Sequence, residues 1–262
     1  MTVDEPIHPF VGLIRRYVLD YLACGNPEVC AEIMDPDYVL HMGGHELGPR
    51  DAVYVPAVAN QMKQFPGLCM TANEVLCNGD RLALRFSQHG ASQRHDGRRA
   101  AWAGVGLYFW DGTRLTGNWA LEDYYARRRQ LAEGTTNRLE PPAVAPWDEQ
   151  AVPADPAGEE AVRRWLLAGS IHGTVGVDFD DEWDGQAGGP LVEVTDTVVD
   201  DLFGAGDRVA FHVTQRGSYL GGAGNDDRLG QPATLRSAGI VRVTDGAVTS
   251  GRVVRDRSGM FA

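Results

Sequence analysis

The sequence predicts an α+β protein made of two tandem copies of one domain, and three observations carry that prediction. "GDRLALRFSQHG" at 79–90 returns as "GDRVAFHVTQRG" at 206–217, with six of twelve positions identical. Both phrases alternate apolar and polar residues after a Gly-Asp turn, as a half-buried strand does. Further anchors recur in the same order at an offset of 133: Gly97 with Gly230, Ala100 with Ala233, Gly106 with Gly239 and Asp123 with Asp256. The change of offset from 127 to 133 corresponds to a hairpin six residues longer in the second copy, "SYLGGAGNDDRLG". Third, helical periodicity precedes a run of hairpin-linked strands in the first half, the order of an α+β domain.

The elements follow in order. Phe10, Leu13, Ile14, Tyr17 and Tyr21 recur at helical spacing, and Asn26-Pro27 breaks that pattern before a second short helix. "DYVLH" at 37–41 reads as a short strand, and "GPRDAVYVPAVANQMKQFPG" holds a helix bent or divided at Pro56. Strands are expected at about 70–77, 81–90, 99–110 and 114–125, joined by "NGD", "HDG" and "WDG" turns suited to hairpins. Between Glu133 and Glu160 the chain has five prolines and no periodicity, so it reads as an extended strap with Trp147 as its anchor. The organisation is then 1–132, a first domain; 133–157, a Pro-rich linker; and 158–262, a degenerate second domain. The second copy keeps its sheet, has only the short helix "GEEAVRRWLLAG", and lacks a counterpart to the helix around 51–64.

Composition narrows the partners. A formal charge of −12 argues against nucleic acid and anionic membrane surfaces, which need clustered Lys and Arg. Lys63 is the only lysine among 24 basic residues. The N-terminal "MTVDEPIHPF" lacks a basic region and a long apolar stretch, so neither a signal peptide nor a membrane span is expected, and the chain reads as cytoplasmic. Cys24, Cys30, Cys69 and Cys77 show no paired CxxC spacing and read as reduced thiols.

The stretches "DYVLH", "FPG" at 65–67, "GDRLALRFSQHG" and "GVGLYFWDGTRLTGNWALED" at 104–123, followed by "RRRQL", resemble the SnoaL-like polyketide cyclases of the nuclear transport factor 2-like superfamily. The resemblance spans residues 9–132, and only the sheet of 158–262. It implies a cone-shaped α+β barrel, a curved antiparallel sheet wrapped on helices around one apolar pocket. It also implies sheet-to-sheet pairing, which a tandem copy would supply as an internal pseudo-dimer; a further homo-oligomer is compatible with this. In that family a Trp, three residues and an Asp close the last strand, here Trp119 and Asp123, and the Asp is the general base that removes an activated α-proton. The second copy keeps the Asp as Asp256 but has Arg252 in place of the Trp. Relatives include aldol cyclases, ketosteroid isomerases, epoxide hydrolases and binding modules, so the fold does not choose the reaction.

Residue chemistry frames the candidates. Trp119, Leu121, Asp123 and Tyr125 share one strand face, because side chains alternate with period two. If Trp119 and Leu121 face the cone interior, Asp123 does too, and desolvation raises its pKa toward that of a useful base. The structural alternative is a strand-end Asp bonded to backbone amides or paired with Arg127. His41 at the end of "DYVLH" is a ready proton shuttle. Tyr17 falls near the Tyr that ketosteroid isomerases carry on their first helix. Trp102 and Tyr108 alternate with Gly104 and Gly106, which leave room for a ligand or for close packing. Arg85 shares a strand face with His89 and could line the pocket, and His45 lies in a Gly-rich loop at the cone's mouth. His41 and His45 with Asp37 or Asp123 lack the single-face spacing of a strong metal motif, so no metal and no other cofactor is expected. The acidic "VDFDDEWDG" at 177–185 reads as a solvated turn, and the second half as a structural pseudo-subunit.

The expectation is a cofactor-independent aldol-type cyclase or isomerase of bacterial specialised metabolism, acting on a small apolar or polyketide-like molecule. Asp123 and His41 would be catalytic; Tyr17, Trp102, Trp119, His45, Arg85 and Tyr108 would bind substrate. The alternatives are epoxide hydrolysis or epoxide-opening cyclisation, which needs a second acid beside Asp123, and a non-catalytic binding or scaffold protein. A pocket filled by Trp or Leu would favour the scaffold; an open one with converging polar groups would favour an enzyme.

Overall fold

The computed structural model describes residues 6–169, 171–179 and 189–261; the first five residues and the acidic run at 180–185 lie outside the described residues. Helix α1 (Pro9–Arg16) starts behind a His8 side-chain cap with proline in its first turn, and widens into a π-helical stretch over Tyr17–Ala23. After Asn26-Pro27 comes α2 (Glu28–Ile33), then β1 (Met34–Met42), β2 (His45–Leu47) and α3 (Val55–Gln64). A meander of β3 (Cys69–Cys77), β4 (Arg81–Ser92), β5 (Arg98–Trp110) and β6 (Leu115–Glu122) leads to α4 (Tyr124–Glu133). The sheet order is β2-β1-β6-β5-β4-β3, with β1 parallel to β6. Its concave face closes over the amphipathic helices, burying Phe10, Ile14, Tyr21 and Ile33 against Leu82, Leu84 and Tyr108.

The second half holds α5 (Pro156–Leu167), β7 (Val177–Phe179), β8 (Val192–Ala205), β9 (Arg208–Tyr219), β10 (Pro232–Thr244) and β11 (Ala247–Arg255). Its sheet runs β7-β11-β10-β9-β8, again with the first strand parallel to the last. The repeat holds residue by residue. Leu84 pairs with Gly106 and Gly106 with Ala120; at the offsets read from the sequence, Phe211 pairs with Gly239 and Gly239 with Val253. The irregularities repeat too: the bulge between Ala72 and Glu74 recurs between Val199 and Asp201, and the extra residue Thr116 recurs as Thr249. Among the described residues, α5 is the one α-helix of this half, and it packs over a filled core that includes Val162, Leu166, Phe179, Phe211 and Val253.

The two sheets pack against each other through their outer faces. The contact is built from equivalent pairs: Leu76 and Phe203, Ala83 and Ala210, Val105 and Ala238, Leu107 and Ile240, Leu121 and Val254. Such reciprocity is the signature of an isologous interface, here within one chain. The arginine of the repeated phrase explains the repetition. Arg81 binds Asp201 with both terminal guanidinium nitrogens, and its counterpart Arg208 lies 3.5 Å from Glu74, the counterpart of Asp201. The segment after α4 lies along β3: Ala143 donates to the Ala72 carbonyl at 2.9 Å, Val152 to that of Cys77 at 3.0 Å, and Trp147 packs on the first core. Edge strand β3 is thereby covered. The four cysteines are free, and among the described residues no helix is long and apolar enough to cross a membrane.

Candidate active site

The first half holds a cavity of ≈ 170 Å³, partly open to solvent, between the concave sheet face and α3. Leu40, Met42, Met70 and Phe86 form apolar walls, with Ala57 and Val58 of α3 opposite. Polar groups converge from several elements: Tyr17 from the first helix, Gln88 from β4, Tyr108 from β5, Asn118 and Glu122 from β6, and Tyr124 from α4. Several are held in place. The Tyr54 hydroxyl donates to that of Tyr17 at 3.1 Å, the Tyr38 hydroxyl to the Asn118 amide oxygen at 2.6 Å, and the Gln61 amide to Gln88 at 2.9 Å.

Glu122 is the carboxylate of this cavity. It is 8 % exposed, and the Trp102 indole Nε1 donates to its Oε2 at 2.7 Å. Burial raises its pKa above the ordinary glutamate value; the Trp102 bond, the charge of Arg127 and the Tyr124 hydroxyl oppose that rise. Arg127 is stacked 4.0 Å over the Tyr124 ring and 5.1 Å from that of Trp102, so a cation stands near without forming a direct ion pair. Burial likewise raises Tyr17, Tyr108 and Tyr124, and the Glu122 charge adds to each, so all three phenols are kept protonated as donors.

Asp123 faces the other way, which corrects the expected orientation. It is fully buried, its Oδ1 accepts from the Ala126 amide at 3.0 Å as the N-cap of α4, and its Oδ2 accepts from Arg257 at 2.6 Å. The second copy repeats the local geometry. The Asp123 amide bonds the Ala103 carbonyl and the Asp256 amide that of Arg236; Asp256 also accepts from Gly259, three residues on, as Asp123 does from Ala126. The aspartate therefore recurs as a turn cap in both halves. Its expected partner Arg127 is replaced by Arg257, which comes from the second half.

The other expected site residues divide by face. Tyr17 and Tyr108 line the cavity, and Trp102 stands behind Glu122. Trp119 lies on the outer face, stacked on His41 at 4.5 Å and tilted against His212 of the second half at 5.0 Å. His41 sits beside it, its Nδ1 3.6 Å from the exposed Glu46 carboxylate, while its neighbours Leu40 and Met42 turn into the cavity. Arg85 is held on the outer side by Glu74 and Glu140, at 3.3 and 2.6 Å, and His45 is exposed on β2. Gly104 and Gly106 open no ligand space: a Cβ on Gly104 would lie 2.3 Å from the Phe86 ring, and one on Gly106 2.8 Å from the Tyr108 ring. No group of three His, Cys, Asp or Glu among the described residues could hold a metal ion.

One residue accounts for the inverted faces. A regular hairpin that pairs Trp110 with Leu115 would continue to place Trp102 and Tyr108 on one face with Trp119 and Asp123. The extra residue Thr116 slips the register by one, so Gly104 lies opposite Glu122 and Tyr108 opposite Asn118. In the second half the same rows carry different chemistry. Arg252 occupies the Trp119 position and pairs with Asp178, which stands where His41 does, at 3.4 Å. Arg255 occupies the Glu122 position, buried, 2.8 Å from the His172 ring nitrogen and 4.9 Å from the Phe179 ring.

A family profile described as SnoaL-like polyketide cyclase matches residues 13–131. A solved structure of a candidate polyketide cyclase from Acidithiobacillus ferrooxidans is similar at 24 % identity, covering 47 % of this chain and 94 % of that one, with a TM-score of 0.42. A SnoaL-like candidate cyclase from Jannaschia sp. CCS1 is similar at 16 % identity, covering 50 % and 98 %, with a TM-score of 0.45. AclR, a candidate hydroxylase from Streptomyces galilaeus, is similar at 19 % identity, covering 47 % and 83 %, with a TM-score of 0.42. No curated protein matches the chain.

Proposed function

We propose, from the match of residues 13–131 to the family profile described as SnoaL-like polyketide cyclase, that the chain is a cofactor-independent acid–base enzyme that enolises a polyketide-like ketone at Glu122. The observation that carries this reading is the buried, cavity-facing carboxylate of Glu122, held by the Trp102 indole and kept above its ordinary pKa by burial. A carboxylate so placed can act as a general base toward a carbon acid.

In the proposed sequence, Glu122 Oε takes a proton from the carbon next to the substrate carbonyl, and the C–H electron pair passes into the enolate. The Tyr17 hydroxyl already accepts from Tyr54, so its own proton is available to the enolate oxygen; Tyr108 offers a second donor. Glu122 then returns its proton, to another carbon in an isomerisation or to the new alkoxide after the enolate carbon has attacked a second carbonyl. Epoxide opening is less well supported, because no second acid lines the cavity beside Glu122 among the described residues. A scaffold role is also less well supported, since open space with converging polar groups remains. The second half, with Arg255 where a base would stand, is assigned the role of a pseudo-subunit.

The test is deuterium incorporation from D2O into the α-positions of cyclohexanone, followed by proton NMR. Wild-type protein is expected to accelerate exchange, and Glu122→Gln to lose about 10²-fold or more of that rate, the usual contribution of a general base. Exchange that survives in Glu122→Gln would remove Glu122 from the role.

A further inference from the structure

We propose that the cavity of the first half takes a single-ring ketone, one six-membered ring with short substituents, rather than a fused multi-ring skeleton. The inference rests on the acid–base reading of Glu122 for the position of the carbonyl, but its size argument stands on packing alone.

The volume sets the scale. An engineered apolar cavity of about 150 Å³ holds one benzene molecule, and the space here is ≈ 170 Å³. That is one ring and a carbonyl, with little to spare.

Ordered side chains set this limit. The floor of the cone is β5, whose Gly104 and Gly106 could have given depth. Phe86, directly opposite Gly104 in the ladder, lays its ring over that glycine, and Tyr108 lays its ring over Gly106. Tyr17 meets Tyr108 edge-on at 6.0 Å between ring centres and closes the end beneath the first helix. The roof is α3, tied to the sheet by the Gln61–Gln88 bond at 2.9 Å. A second fused ring seated inside the cavity, beyond its open mouth, would have to displace the Phe86 ring, which is 3 % exposed, or break that bond and lift α3. Close-packed cores give way to such insertions only at a cost in free energy, so the cavity discriminates by ring number.

Polarity agrees with the size. The apolar walls suit the faces of an aliphatic or aromatic ring, while the polar groups offer one donor–acceptor constellation around Glu122, enough to place one carbonyl. Phe86 is therefore the specificity-determining residue, acting by volume and not by chemistry.

The experiment uses the full chain and three saturated ketones with one, two and three fused rings: cyclohexanone, 2-decalone and perhydroanthracen-2-one. Binding is read from the ¹⁵N–¹H signal of the Trp102 indole, which reports on its bond to Glu122, and chemistry from α-deuterium exchange. Wild type is expected to bind cyclohexanone and to exchange it with at least tenfold higher kcat/KM than 2-decalone, with no response to the three-ring ketone. Phe86→Ala is expected to reverse the one-ring over two-ring preference by at least tenfold, mainly through KM for 2-decalone; Phe86→Leu, which keeps more of the core, should shift it part of the way. Equal or better binding of the three-ring ketone by wild type, or no indole response to cyclohexanone at 50-fold the protein concentration and above, would overturn the proposal. Ring-selective binding without exchange would uphold the size assignment and remove the base role of Glu122. Exchange without ring selectivity would do the reverse.

Discussion

Glu122 and Asp123 are neighbours in the chain whose side chains answer to opposite faces of one strand, and their environments differ accordingly. Asp123 is saturated: a helix amide on one oxygen and a buried guanidinium on the other. Glu122 faces a cavity with an indole donor as its closest partner, so burial dominates and its pKa rises above 4.5. The consequence for stability has a definite sign. A carboxyl with a raised folded-state pKa holds its proton more tightly in the native than in the unfolded state, so stability falls as pH rises from the unfolded value of about 4.5 through the folded one. Glu122→Gln keeps an acceptor for the Trp102 indole and removes the ionisation. Its denaturation midpoint is expected to exceed that of wild type at pH 8, with the advantage shrinking to nothing as pH falls to about 4.5. Urea titrations across that range check this, and a difference that stays flat would mean that Glu122 ionises in the fold as it does in water.

At the scale of elements, α4 ties the two halves together at the site. Asp123 caps the helix whose first residue, Tyr124, lines the cavity, and Arg257 reaches across from the second sheet to hold that cap. Asp123→Ala removes the cap, worth about 1 kcal/mol, and strips a carboxylate from a buried arginine, a change that costs about 3–5 kcal/mol. Adding Arg257→Met should recover most of the larger part, so the double variant should be more stable than Asp123→Ala alone. A double-mutant cycle in urea measures this, and simple additivity would show the pair to be uncoupled. These elements also show what could be read in advance. The duplication was legible because turn glycines and the Gly-Asp-Arg phrase are fixed by backbone geometry and by the reciprocal Arg81 and Arg208 contacts. The inward face of β6 was not. Both faces of this sheet are buried, one by helices and one by a second sheet, so Trp119 and Leu121 suit either side, and alternation carries no sign. The bulge at Thr116, invisible to period-two reasoning, then decides which row meets Tyr108. One clue did lie in the sequence: Asp123 recurs as Asp256 in a half where the Trp is lost, as a capping residue would and a lone catalytic one would not.

At the scale of the whole molecule, the second half acts as the permanent partner of the first. The interface repeats pair by pair, from Leu76 with Phe203 to Leu121 with Val254, and its charged contacts are reciprocal. A prediction follows for residues 1–132 produced alone. Removing the second sheet exposes Leu76, Ala83, Val105, Leu107 and Leu121 as one contiguous apolar face, of the kind that drives association. A second copy of the same fragment offers nearly what was lost. Leu76 would replace Phe203, Leu107 would replace Ile240, and Glu74 would take the place of Asp201 opposite Arg81, two such pairs forming about the new axis. The mismatches are Val105 for Ala238 and Leu121 for Val254, which overfill the contact by a few methylenes at a cost of about 1–3 kcal/mol. The fragment is therefore expected to sediment as a homodimer, and Arg81→Glu, which sets a like charge against Glu74 twice, to shift it toward monomer by tenfold or more in dissociation constant. Loss of the Arg257 clamp should leave the start of α4 less protected from amide exchange in that dimer, since the matching position of a second copy is Tyr124 and brings no guanidinium. A fragment that remains monomeric at 100-fold the protein concentration at which the full chain is studied would show that the equivalence of the two faces is one of fold and not of binding energy.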